Sequence, residues 1–187
     1  KGLWVVHQTF LPKGFLGSID ENPYSLDIEK AKALMAESGL TLPIEIGFTV
    51  RNNQERMDIA TSIQNTFAQI GINLVMDVGD GKQGLETYRG RKHDITLQTW
   101  GPDYPDPHTN ASTFAMNPDN SDEANATGYL AWRTAWDPGA ELNAETAAAV
   151  EEKDSAKRAE MYGDIQRKVR DHSAFVLMFQ QARQDGL

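Results

Sequence analysis

The chain reads as an α/β fold, and three stretches carry that reading. Ile44, Ile46, Phe48 and Val50 alternate with polar or small residues after Pro43; Ile59, Ile63, Phe67 and Ile70 then recur at helical spacing; and Ile72, Leu74, Met76 and Val78 alternate again. A period of two, then of three to four, then of two is the pattern of a strand, a crossover helix and a second strand. Two strands joined in this way belong to one sheet, with a right-handed crossover.

The remaining elements follow in order along the chain. Ile28, Ala31, Leu34 and Met35 make one face of a helix that opens near Asp27 and closes at Gly39. Gly71 ends the crossover helix as a C′ residue. Asp80-Gly-Lys-Gln-Gly84 is a turn leading into a short helix that ends near Gly90. Asp94 to Trp100 alternates Ile95, Leu97 and Thr99 against Thr96, Gln98 and Trp100, a strand pattern. Asn110 to Glu145 is rich in Asn, Asp and Ala with little periodicity, so it reads as a long surface excursion or a cover over a ligand. Ala159, Tyr162, Ile165 and Val169 mark a last helix starting near Asp154 or Ser155.

Composition bounds the function classes. A chain of 187 residues, 40% hydrophobic and 24% charged, is long enough for one substantial core, and one domain is the simplest count. Lys plus Arg total 18 against 27 Asp plus Glu, for a formal charge of -9, and the densest basic cluster is Arg89-Gly-Arg-Lys92, so nucleic acid is not an expected partner. The absence of cysteine suits an oxidising compartment and a cytosolic one equally. No apolar run approaches the length of a membrane span.

Catalytic signatures are sparse. There is no Gly-x-Ser-x-Gly elbow and no cysteine nucleophile, and Gly79, Gly81 and Gly84 lack the spacing and the Gly-Lys-Ser/Thr ending of phosphate loops. No cofactor or resident metal is expected. The one arrangement to weigh is Asp103-x-x-Asp106-x-His108 with His93 upstream, two carboxylates and two imidazoles of the kind that ligate a divalent metal in a hydrolase. Its spacing matches no metal signature, and a proline-stiffened loop uses acidic residues for its own turns.

The most distinctive stretch is Thr99-Trp-Gly-Pro-Asp-Tyr-Pro-Asp-Pro107, which places two carboxylates and two large aromatics on a backbone stiffened by three prolines. Proline fixes φ and removes an amide donor, and Gly101, Tyr104 and Asp106 precede prolines and are biased toward extended geometry. Such a loop, entered from a strand, presents a surface, and ligands of α/β domains bind off the carboxyl ends of strands. Asp106 suits a structural role, its carboxylate capping nearby amides. Asp103 is the better functional candidate, with Tyr104 placed to bury its ring and leave its hydroxyl at the rim. Trp100 taken alone reads as packing against the sheet, the far commoner role of a large aromatic. Trp132 and Trp136, spaced to share a helical face, suit packing of the excursion, while Arg133 between them offers a planar fork for a carboxylate. His7 and His172 read as ordinary surface or helix-end residues.

Trp100-Gly-Pro-Asp103-Tyr104-Pro-Asp106-Pro107 resembles the Trp-x-x-Asp-Tyr-x-Asp-Pro signature in the C-terminal lobe of periplasmic oligopeptide- and dipeptide-binding proteins, the receptors of ABC importers. Asp27-Ile-Glu-Lys-Ala-Lys-Ala-Leu-Met-Ala-Glu-Ser-Gly39, Ile63-Gln-Asn-Thr-Phe-Ala-Gln-Ile-Gly-Ile72 and Lys157-Arg-Ala-Glu-Met-Tyr-Gly-Asp-Ile-Gln166 are similar to further segments of that family. Phe175-Val-Leu-Met-Phe179 sits where members have a buried strand. The resemblance runs from about Leu11 to Gln181 and implies a single lobe of a periplasmic-binding-protein type II fold, a mixed sheet with flanking helices. Residues 1–187 are then expected to be the C-terminal lobe, an excised or proteolysed fragment without its N-terminal lobe.

The resemblance also implies a function. The whole receptor closes on a peptide or a similar small cationic solute and hands it to an ABC permease in the periplasm, without chemistry. Trp100, Asp103 and Tyr104 would touch the ligand, with Asp103 pairing with its α-ammonium group. Some oligopeptide binders carry an arginine three residues before the tryptophan to meet the ligand carboxylate, whereas this chain has Leu97. Nickel chelates and opines are ligands of other members. An isolated lobe is expected to expose an apolar face around Trp100 and to dimerise through it.

Overall fold

The computed structural model describes residues 4–181. Its elements in chain order are β1 (Trp4–Val6), α1 (Ile28–Glu37), β2 (Ile44–Arg51), α2 (Gln54–Ala68), β3 (Ile72–Gly79), α3 (Gly81–Arg89), β4 (Ile95–Thr96), α4 (Pro107–Ala115), α5 (Leu130–Arg133), α6 (Gly139–Glu151), α7 (Ser155–His172) and β5 (Phe179–Gln181). Where composition suggests one domain, the chain divides into two compact units: Ser25–Trp100, and Lys1–Tyr24 with Gly101–Leu187.

The 25–100 unit is the strand–helix–strand pattern realised. β2 and β3 pair in parallel from Ile44↔Ile72 to Arg51↔Gly79, and β4 joins the other side of β2, also parallel, at Phe48↔Ile95 and Thr49↔Thr96. The inward side chains Phe48, Val50, Ile72 and Leu74 close with Ala60 of α2 into one core, flanked by Ile63, Phe67 and Ile95. Burying a side chain such as Phe48 stabilises by roughly 1.5–3 kcal/mol. Each helix starts on a side-chain cap: Asp27 accepts from the Lys30 amide, Asn53 from Arg56, and Asp80 from Lys82 and Gln83. Such a cap contributes about 1 kcal/mol. Gly71 takes φ 82° just past α2, with the Leu42 side chain against the place a Cβ would occupy, so both conformation and space select glycine there.

The strand read over 94–100 contracts to Ile95–Thr96. The Leu97 amide makes one further bond to the Thr49 carbonyl, 3.2 Å, after which side chains take over from the ladder.

The other unit corrects the sequence reading most. The stretch from 110 to 145 is not a surface excursion: most of α4, all of α5 and the first half of α6 lie in it, burying Ala111, Phe114, Ala115, Leu130, Trp132 and Leu142. α4 and α6 pack on α7, whose Tyr162, Ile165 and Val169 are buried as its spacing requires. Trp132 and Trp136 do not share a helical face, because Ala135 at φ 52° ends α5 between them. Trp132 is buried and donates its indole N–H to the Ser121 carbonyl at 2.8 Å, while Trp136 stands edge-on to Phe175. Arg133 is buried too, its Nε donating to the Thr127 carbonyl at 2.7 Å.

Residues 8–24 strap back onto α7. Glu21 pairs with Arg167 at 2.7 Å and with Arg170 at 3.1 Å, and the Tyr24 hydroxyl donates to Asp171. His7, expected at the surface, is buried, its Nε2 lying 2.6 Å from the Leu11 carbonyl. His172 is the last residue of α7, as expected. The buried strand expected over Phe175–Phe179 is displaced: pairing starts only at Phe179, where β5 meets β1 antiparallel, and Val176 and Phe179 are exposed.

Candidate functional site

The proline-stiffened loop lies where the chain passes from one unit to the other. Trp100 is the last residue of the 25–100 unit and is 40% exposed. Asp103 and Tyr104 belong to the second unit, both exposed, Tyr104 at 55%. The loop then turns sharply, the Asp106 amide donating to the Tyr104 carbonyl at 2.9 Å, and enters α4. Pro107 occupies the first helical turn, where a missing amide costs nothing and a preset φ helps.

Asp106 is the anchor that the sequence suggests. One carboxylate oxygen accepts from the His108 amide at 2.8 Å and so caps α4. The same carboxylate forms a two-pronged pair with Arg158 of α7, at 3.0 and 3.1 Å. Burial alone would raise the Asp106 pKa, but the bonds from Arg158 and the His108 amide prevail and hold it below the usual carboxylate range. Arg158 is itself fixed, donating through Nε to the Ala149 carbonyl at 3.2 Å and lying over the Tyr162 ring. The Tyr162 hydroxyl meets His108 Nδ1 at 3.2 Å, and burial pushes its pKa up to about 12. Sequence reading did not find Arg158. The cue was its position four residues before the core residue Tyr162 on one helical face, though nothing local pointed to a partner 52 residues away.

This geometry leaves the hydrolase arrangement without support. Both oxygens of Asp106 are committed to Arg158, His108 Nδ1 faces Tyr162, and burial lowers the His108 pKa. His93 belongs to the other unit, where its ring stands edge-on to Tyr88. Among the described residues no group of three His, Cys, Asp or Glu side chains is placed to hold a metal ion. Within the second unit, the Asp103 carboxylate and the Tyr104 ring stay exposed ahead of the anchored Asp106.

Comparison with known proteins decides what the presentation belongs to. A family model described as bacterial extracellular solute-binding proteins, family 5 Middle, matches residues 1–122. The chain belongs to this family. Among solved structures, it is similar to the ABC transporter-associated periplasmic binding protein DppA from Helicobacter pylori in complex with the peptide STSA, at 20% identity and TM-score 0.80, covering 95% of this chain and 34% of that one. It is also similar to the dipeptide binding protein from Pseudoalteromonas sp. SM9913 in complex with Met-Leu, at 18% identity and TM-score 0.81, covering 96% and 35%. A third is the binding protein AgaA from A. tumefacien in complex with agropinic acid, at 22% identity and TM-score 0.79, covering 96% and 36%. These likenesses establish the periplasmic-binding-protein type II fold expected from the sequence. This family 5 chain spans about a third of the length of those structures. No curated protein sequence matches it.

Proposed function

We propose that residues 1–187 are the C-terminal lobe of a family 5 receptor that captures a small solute outside the cytoplasm and delivers it to an ABC permease. Trp100, Asp103 and Tyr104 are the ligand-contacting residues of this reading. The observation that carries it is the division of labour in the loop: Asp106 is fully engaged in holding the base, while Asp103 and Tyr104 remain exposed on a rigid backbone. An exposed carboxylate becomes selective only when a second surface encloses it, because a buried anion requires an opposite charge. A ligand ammonium satisfies that requirement, and an aromatic pair flanking it adds apolar area and cation–π attraction. Peptides are the ligand class favoured, since the solved proteins with STSA and Met-Leu share the fold; the agropinic acid complex marks the range of alternatives. The receptor performs no chemistry on its solute, and its compartment is the periplasm.

One surface alone leaves a bound peptide largely solvated and its charges screened. The 187-residue chain is therefore expected to show no micromolar affinity in a thermal-shift titration with di- and tripeptides, while the intact receptor binds them. Light scattering on the same sample tests the expected dimer of the isolated lobe. Micromolar peptide binding by the isolated monomer would mean that it carries a complete site and would overturn the two-lobe reading.

A further inference from the structure

We propose that Arg56, on the first turn of α2, is the positioning residue that sets Trp100, by gripping the chain between the end of β4 and the loop. The inference deepens the reading of Trp100 as a ligand contact and rests on it for its functional meaning.

The sheet stops holding this stretch early. Ladder pairing of β4 ends at Thr96, and the last backbone bond from β2 reaches the Leu97 amide. The next two holds come from α2: Arg56 Nη1 donates to the Leu97 carbonyl at 3.2 Å, and Nη2 donates to the Thr99 hydroxyl at 2.8 Å. The planar fork thus spans residues 97 to 99 and fixes the backbone immediately before Trp100. A lysine ammonium, a point donor on a flexible stem, does not reproduce that span.

The position is costly for a cation, which argues that the contact is what the residue is for. Arg56 is the third residue of α2, beside the positive end of the helix dipole, and its own amide is used by the Asn53 cap. Partial burial, with the nearby Arg51 charge, lowers its pKa. Glu or Asp would be the electrostatically favoured choice in that turn, as Glu55 next to it illustrates.

All of these contacts lie within the 25–100 unit, so the test needs no ligand. Hydrogen exchange is followed on this chain for the Leu97 amide, which bonds to the Thr49 carbonyl, and, as an internal control, for β2 and β3. Arg56→Lys is expected to speed exchange at Leu97 about tenfold, and Thr99→Val by a smaller factor, while leaving the β2–β3 amides unchanged. The double variant is expected to add little beyond Arg56→Lys alone, because Thr99→Val removes one of the two bonds that Arg56→Lys already loses. Thr99→Val alters a single exposed hydroxyl and keeps the readout interpretable if Arg56→Lys folds poorly. Unchanged exchange at Leu97 in Thr99→Val, or fully additive effects in the double variant, would overturn the proposal. The outcome is independent of whether Trp100 touches a solute, which Trp100→Ala in the intact receptor decides separately.

Discussion

Asp103 and Asp106 sit three residues apart on the same loop, carry the same type of side chain in a proline-rich setting, and meet different surroundings. Asp106 turns inward, caps α4 and takes both prongs of Arg158. Asp103 is exposed beside the exposed Tyr104. The difference lies in what waits for each carboxylate. An α4 amide end and a fixed guanidinium, itself braced on Tyr162 and the Ala149 carbonyl, meet the second acid. On the proposed reading, the charge-assisted bonds of Asp106 hold the loop while Asp103 is left to meet a ligand.

Substitutions sharpen that contrast in descending order of their effect on stability. Asp106→Ala removes a helix cap and leaves Arg158, whose side chain is 17% exposed, without its partner; a loss of about 2–4 kcal/mol is expected, read by urea unfolding of the isolated chain. Trp100→Ala, which gives up a partly buried ring, is expected to cost about 1 kcal/mol in the same assay. Asp103→Asn and Tyr104→Ala are expected to stay within about 0.5 kcal/mol of wild type, since both side chains are exposed. A loss at Asp103 as large as that at Asp106 would dissolve the distinction between anchor and contact.

Acid tests the Asp106 anchor in another way. The folded-state pKa of Asp106 lies below its unfolded value near 3.8, so its contribution is fully present above that value and is lost as pH falls through the folded pKa. Wild type is therefore expected to lose stability below about pH 4 relative to Asp106→Ala, with the two curves parallel above pH 5. Denaturant midpoints measured from pH 2 to pH 7 check this.

Much of this was legible in the sequence, for reasons that differ by region. The 25–100 unit announces itself because apolar residues alternate along β2 and β3 and recur at helical spacing between them, and because Asp27 opens α1 by a local capping rule. The capping role of Asp106 was readable for the same reason: Asp followed by Pro at a helix start is a local signal. The 110–145 region hid its core because it packs through small and amide side chains. Ala111, Ala115 and Ala131 are fully buried, and Asn117 bonds to Asn120, to Asn143 and to the Trp136 carbonyl, so neither periodicity nor polarity marks an interior. Arg158 and Arg56 were missed because each serves a residue some 40 to 50 positions away, and pairing over that distance leaves no mark in local spacing.

Asp103 is proposed to recognise the solute, while Asp106 holds the loop. Calorimetry on the intact receptor tests it most directly, using the ligand that receptor selects from a di- and tripeptide library, with wild type and Asp103→Asn measured side by side. Asp103→Asn is expected to weaken binding by about 2–5 kcal/mol, the cost of an enclosed ammonium left without its counter-charge, at an unchanged melting temperature. Equal affinity in the two proteins would remove Asp103 from the site.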